Sequence, residues 1–195
     1  LASVIYIAKQ IHKWKPATII ILLLGIFVAY FITTLNPLVS ENASPLFLFL
    51  SGAIAICAMI LPGISGAFIL VLLGAYQPVL TAVNERNITL IGLVGLGAVV
   101  GLLTFSKVLK WLFAHYKDLT LAALTGFIIG SLNKIWPWKE TLTTRMNSKG
   151  VEVPLLEKSN LPSTYQGDAQ LAYAVLLALV GFVLILMLEK LAVKK

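Results

Sequence analysis

Of the 195 residues, 59% are hydrophobic and 12% charged, whereas a soluble domain is about half apolar and about a quarter charged. Mean hydropathy is +0.94 and the charges gather in short segments, which excludes a soluble fold and predicts an integral membrane protein. The 15 lysines and arginines against 8 acids read as membrane topology and contact with anionic lipid headgroups; scattered over the connections, they exclude a nucleic-acid-binding arm.

Residues 1–8 read as the tail of a span. Neither a start methionine nor a signal-peptide pattern precedes them, so the chain is expected to be a portion of a longer protein. Lys9, His12, Lys13 and Lys15 lead into a first full span over 17–35. Residues 46–80 hold no Lys, Arg, Asp, Glu or His, yet Pro62-Gly63-Ile64-Ser65-Gly66 interrupts them at mid-length. The flanking arms, 46–61 and 67–80, read as helices of about 15 residues and about 22 Å, short of a hydrocarbon core of about 30 Å. Two short arms around a Pro-Gly centre suit a re-entrant hairpin. Further spans are expected over 88–105, 119–135 and 172–188, and the polar stretch 136–171 as an extracytoplasmic loop or small cap. The predicted fold is an all-α, multi-spanning helix bundle, a single transmembrane domain with one broken re-entrant hairpin.

The count of basic residues does not orient this bundle. With Lys9, Lys13 and Lys15 inside, re-entry adds Lys107, Lys110, Lys117, Lys190, Lys194 and Lys195; crossing adds Arg86, Lys134, Lys139, Arg145, Lys149 and Lys158 instead. Either way nine face six. Density favours re-entry, because Lys107, Lys110 and Lys117 crowd one connection and the C-terminal lysines abut a span.

The interruption carries the chemistry. Pro62 has no N–H to donate, and Gly63 and Gly66 permit backbone conformations closed to other residues. A helix restarting near Ala67 leaves first-turn N–H groups free, with the positive end of its dipole, and Ser65 adds a hydroxyl there. Pro62, Gly63, Ile64, Ser65 and Gly66 thus form a candidate cradle for a buried phosphate. A packing kink is the plainer reading of the same residues. Arg86 and Lys107 flank the 88–105 span and are candidates to meet a phosphate at opposite faces, beside a topological role. Gly97 with Gly101, and Gly126 with Gly130, read as close helix packing. Trp136-Pro137-Trp138-Lys139 reads as an interfacial anchor.

Other chemistry is thinly supplied. Cys57 is the one cysteine, so neither an intrachain disulfide nor a cysteine pair for metal or redox work is available. His12 and His115 lie among lysines and read as solvated or headgroup-facing. No acid sits mid-span, so no carboxylate relay is expected. No metal and no cofactor are predicted.

Three stretches together resemble one family. They are the run from Gly52 through Pro62-Gly63-Ile64-Ser65-Gly66 to Leu70, then 105–112, and finally 124–139 with its Gly130-Ser131 and Trp136-Pro137-Trp138. The chain is similar to the bacterial membrane family catalogued as domain of unknown function 368, associated with polyprenyl-phosphate transport. The resemblance implies two Pro-Gly-x-Ser-Gly segments, one per half of an inverted repeat, the first upstream of Leu1. It also implies a multi-pass protein of the bacterial cytoplasmic membrane that returns undecaprenyl phosphate from outer to inner leaflet for reuse. By position it assigns Pro62, Gly63, Ser65 and Gly66 to the motif and Gly130, Ser131, Trp136, Pro137 and Trp138 to the C-terminal signature.

Two alternatives stay open. Undecaprenyl pyrophosphate phosphatases are similar in their Pro-Gly-x-Ser segment, but theirs continues Arg-Ser where Gly66 and Ala67 stand here, and no acid lies within either arm. A small-anion channel would use the same cradle. The favoured reading is a transporter and not an enzyme, with a polyprenyl-phosphate lipid and anionic lipids as partners; self-association into a homo-oligomer is left open. Cysteines placed at Asn42 and Asn84 are expected to label from the same membrane face, and opposite-face labelling would establish a crossing segment.

Overall fold

The structure, a computed structural model, describes residues 2–38, 44–146, 151–165 and 167–193. Asn42, Lys149, Lys194 and Lys195 lie outside the described residues. Apolar runs become helices where proline and capping side chains start them. The elements are α1 (Ala2–Lys9), α2 (Pro16–Thr34), α3 (Pro45–Ile60), α4 (Gly66–Leu72), α5 (Tyr76–Asn84), α6 (Ile88–His115) and α7 (Lys117–Ser131). A 3-10 turn (Leu132–Ile135), strands β1 (Lys139–Met146) and β2 (Glu152–Ser159), and α8 (Leu171–Val193) complete them. Pro16 and Pro45 open their helices, a position where the missing N–H costs nothing. The side chains of Ser44, Ser65 and Asn87 accept the N–H of Phe47, Phe68 and Leu90, capping α3, α4 and α6.

Among the described residues, three helices are long and apolar enough to cross a membrane, Pro16–Thr34, Ile88–His115 and Leu171–Leu188. None of the last window is buried within the described structure, as suits a helix face turned to lipid. Helices carry the fold, as expected.

Two parallel helix pairs build its body. A Cβ on Gly97 would strike the Phe49 carbonyl, and one on Gly101 the Ala53 carbonyl. Both numbers rise together, so α3 and α6 run the same way. Likewise a Cβ on Gly126 would strike the Leu22 carbonyl and one on Gly130 the Ile26 carbonyl, which sets α2 parallel to α7. These glycines let backbones meet directly, the packing that membrane helices use where lipid gives no hydrophobic drive. Because α6 turns into α7 at Tyr116, the two pairs run in opposite directions. The caps Ser44 and Asn87 therefore lie toward the same end of the body, and α4 and α5 bring the chain back between them.

Polar ties close both ends. At one end Asp118 accepts the N–H groups of His12 (3.2 Å) and Lys13 (3.1 Å); the His12 bond foremost holds its carboxyl below the usual aspartate range. At the other, Asn133 Nδ2 donates to Thr33 Oγ1 (3.3 Å) and Ser159 Oγ donates to Asn133 Oδ1 (2.8 Å). The hairpin β1–β2 thus sits where α2 and α7 finish.

Four local expectations are corrected. The arm over 67–80 is not one helix: it breaks at Gly74 (φ +75°), and α4 and α5 meet at 109°. Glycine reaches that φ without a Cβ clash, and the bend follows. The span expected over 88–105 continues to His115, because nothing between Phe105 and His115 breaks a helix and lysine stems lie along apolar surface. Lys107 and Lys110 are therefore helical. The span expected over 119–135 tightens into a 3-10 turn after Ser131. Within 136–171, expected as a loop or small cap, lies an antiparallel hairpin with register shifts around Thr143, its Thr141, Thr143 and Thr144 having the β-branching that strands favour. Trp138 is buried and donates to the Ala169 carbonyl (2.8 Å), so it pins this cap rather than facing headgroups.

Matched glycine substitutions test the pairing. Gly101→Ala is expected to cost about 1–3 kcal/mol, because overpacking forces the backbones apart. Gly95→Ala, with nothing within 4 Å of the added methyl, is expected to be neutral or slightly stabilising. Thermal melts of both variants in detergent, run beside the parent, measure the difference.

Candidate functional site

The break begins where Pro62 ends α3. Leu61 is already extended (φ −73°, ψ 131°), its N–H bonded to the Ala58 carbonyl at 3.1 Å. Gly63 follows at φ +93°, a conformation that L side chains rarely adopt. Ser65 is extended again and caps α4: its Oγ accepts the Phe68 N–H at 3.1 Å. One lone pair of that hydroxyl is thereby used, and its O–H remains a donor. Ile64 is buried with Ala55, Ala58 and Ile69, while Gly63 and Ser65 are exposed. The motif is a turn anchored by one apolar side chain, with its polar residues facing outward.

α4 then doubles back on α3. A Cβ on Gly66 would stand 3.0 Å from the Ala55 carbonyl oxygen, so the return path runs in tight contact with α3. With seven residues, α4 offers free first-turn N–H groups but only two turns of aligned dipoles, less than the expected arm of about 15 residues would give.

The second motif meets the first. The space that a Cβ on Gly63 would need is filled by Ser131 Oγ and Cβ, and the Phe127 carbonyl lies 3.6 Å from it. Ser131 is buried and donates to the Ile128 carbonyl (2.9 Å), and Phe127 packs on the cluster beneath Ile64. Gly130-Ser131 and Pro62-Gly63-Ile64-Ser65-Gly66 are one structural unit. Lys134, not singled out from the sequence, joins it with its Nζ 4.7 Å from the centre of the Phe68 ring. The available signal was its place one turn beyond Ser131.

Arg86 is not brought to the break. It lies exposed at the α5–α6 turn, with φ +54°. Cys57, one turn before the break, donates to the Gly101 carbonyl at 3.6 Å, and about 14 residues or about 20 Å of α6 separate that level from Asn87. Lys107 is exposed on α6, and no contact joins it to the motif among the described residues.

An apolar cavity of about 470 Å³ opens on the other side of the break. Leu61, Phe105, Leu109, Leu112, Ala123 and Phe127 line it, between α6 and α7. Along α7 the order is cavity, then Gly63 at Ser131, then Lys134. Apolar space, polar turn and cation succeed one another, an arrangement that fits a ligand with a long apolar chain and a small anionic head.

The family model described as VCA0040-like, undecaprenyl phosphate translocase-like, matches residues 1–153. The chain belongs to this family. A polyprenyl-phosphate transporter of Vibrio cholerae serotype O1 is 46% identical over 200 residues, covering 100% of this chain and 64% of that protein. A polyprenyl-phosphate transporter of Staphylococcus aureus is 34% identical over 95 residues, 46% of this chain and 34% of that protein. The chain thus spans less than two thirds of the length of the curated relatives it matches. No solved structure matches it. Within the translocase-like family match fall the break, the Gly130-Ser131 unit and the first strand of the hairpin.

A paired substitution tests the unit. Gly63→Ala is expected to destabilise by several kcal/mol, combining a left-handed φ with a collision. Adding Ser131→Gly removes the collision and is expected to restore part of the melting temperature in detergent, the φ penalty of about 1 kcal/mol remaining. Equal melting temperatures for the single and double variants would show that the two motifs do not bear on each other.

Proposed function

We propose that this chain is the part of a polyprenyl-phosphate transporter that holds one headgroup-binding break. The supporting observation is the junction of Gly63 with Ser131, which sets a polar turn beside an apolar cavity. The relatives' names supply the substrate class. Undecaprenyl phosphate, the lipid carrier of cell-wall precursors, is the substrate in this reading, returned from the outer to the inner leaflet of the bacterial cytoplasmic membrane.

The physical problem in such transport is the phosphate, since a charge is costly in hydrocarbon while a polyprenyl tail is at home there. Pro62, Gly63, Ile64, Ser65 and Gly66 serve as the shield. Pro62 and Gly63 turn the chain, Ile64 anchors it, and the Ser65 hydroxyl with the N–H groups of Gly66 and Ala67 face the phosphate oxygens. Arg86 acts at the mouth, meeting the headgroup at the membrane face from which α3 and α6 start. In this reading residues 46–80 re-enter rather than cross, entering from the extracytoplasmic face. A second break in the remainder of the protein, related by an inverted repeat, would complete the site.

Carriage is favoured over phosphoryl chemistry by the residues that follow Ser65. Gly66 and Ala67 offer neither a guanidinium to stabilise developing charge nor a proton donor for a leaving group.

Proteoliposomes carrying the full-length transporter separate the readings. Headgroup translocation of a prenyl phosphate without phosphate release is the expected result. Ser65→Ala with Gly66→Leu is expected to abolish it while leaving the protein inserted, the first change removing a cap worth about 1 kcal/mol and the second wedging α4 from α3. Phosphate release from the pyrophosphate lipid, or anion flux without lipid movement, would replace this reading.

A further inference from the structure

Resting on the polyprenyl-phosphate reading, we infer that Lys134 is the cation that receives the phosphate headgroup at the break, and that Glu157 on the hairpin is its displaceable counter-ion. Three observations converge. Lys134 Nζ lies 4.7 Å over the ring of Phe68, and the N–H of that same residue is bonded to Ser65 Oγ. The ammonium therefore sits over the first turn of α4, on a flexible stem that can swing to the exposed Ser65 and Gly63. Its own backbone is three residues from Ser131, which fills the Gly63 notch. No other lysine or arginine among the described residues is placed against α4 by a contact of this kind.

The ion pairing around it is unequal. Lys139 Nζ bonds Glu157 Oε2 at 3.1 Å and the Lys134 carbonyl at 2.6 Å, and it is the more buried of the two lysines. Lys134 reaches the same Glu157 oxygen at 3.6 Å, with its side chain 37% exposed. One carboxylate is thus shared by two ammonium groups, and the group carries a net charge of +1. Lys139 holds the hairpin whatever Lys134 does. A phosphate monoester, with up to two negative charges and three acceptor oxygens, outcompetes half of a shared carboxylate for Lys134. Lysine suits this exchange because it binds phosphate as a mobile point charge rather than through a fixed fork. The cation–π contact with Phe68 marks the resting position, and the step from ring to phosphate brings the charge to the break.

The chemistry recognised is the phosphate monoester group, carried by a prenyl lipid or free in solution. The test uses the full-length transporter in nanodiscs, with a fluorescent short-chain prenyl phosphate, the corresponding neutral prenol and inorganic phosphate as probes. Lys134→Gln is expected to weaken prenyl-phosphate binding about tenfold, the loss of one charge-assisted contact, and to leave prenol binding unchanged. Lys134→Arg, which keeps the charge, is expected to stay within about threefold of the parent. Glu157→Gln is expected to tighten binding, because it frees Lys134; a purely structural role for the pair predicts the opposite sign. Sensitivity of inorganic phosphate to Lys134→Gln would assign the site to the bare phosphate group, and sensitivity of the prenyl phosphate alone would assign it to the lipid; either supports Lys134 as the receiving cation. A prenyl-phosphate affinity unmoved by Lys134→Gln in protein of parental melting temperature overturns the inference, as does weaker binding in Glu157→Gln. A parent that prefers prenol to prenyl phosphate overturns the polyprenyl-phosphate reading itself.

Discussion

In hydrocarbon a backbone N–H or C=O without a partner is among the costliest features a protein can expose, so a broken helix persists there only where protein or a polar cavity receives it. The turn at 61–65 meets that demand locally and from a distance. Ser65 takes one freed N–H and the Ala58 carbonyl takes another. The Gly63 face closes on Ser131, and Gly66 lays α4 against the α3 carbonyls. The remaining architecture delivers Ser131 to that spot. α7 is fixed along α2 by Gly126 and Gly130, α3 along α6 by Gly97 and Gly101, and the two pairs are joined through Tyr116. Displacing either pair by one residue would leave Gly63 without its neighbour.

The site is consequently graded along α7. Its early turns border the apolar cavity, its last turn meets the break, and the 3-10 turn beyond carries Lys134 under the hairpin. An amphiphile can lie along this gradient with its tail and head each in a matching environment. The hairpin keeps the polar end polar: Lys139 and Trp138 tie it down through part-buried hydrogen bonds, while Lys134 retains a looser pairing.

Much of this was legible from residue types alone. Pro62 with Gly63 announces a break because one lacks a donor and the other lacks a Cβ, and the spacing of Gly97/Gly101 and Gly126/Gly130 announces close helix contact. What composition cannot convey is which helices those glycines join, since partners about 50 and about 100 residues apart leave no local trace. Gly74 is a lone glycine in an apolar run, and a helix tolerates such a residue as readily as it bends at one. Lys107 and Lys110 look like the end of a span by charge, yet the helix continues because lysine stems stay apolar to their tips. Arg86 was attractive by its charge near a span, and the parallel course of α3 and α6 places it at the opposite end of that span from the break. Lys134 lay hidden for the converse reason, since Phe68 is remote in sequence and adjacent only after α7 has docked.

The parallel pairing also fixes an order of events during synthesis. α2 leaves the ribosome about 100 residues before the part of α7 it packs on, which at 5–20 residues per second is a wait of about 5–20 s. Gly63 leaves the ribosome about 70 residues before Ser131, so for about 3–14 s its notch has no Ser131 and the turn must shelter in the insertion machinery or in water. The break is completed only after α7 has emerged, and a chain stalled before α7 would hold that polar turn open.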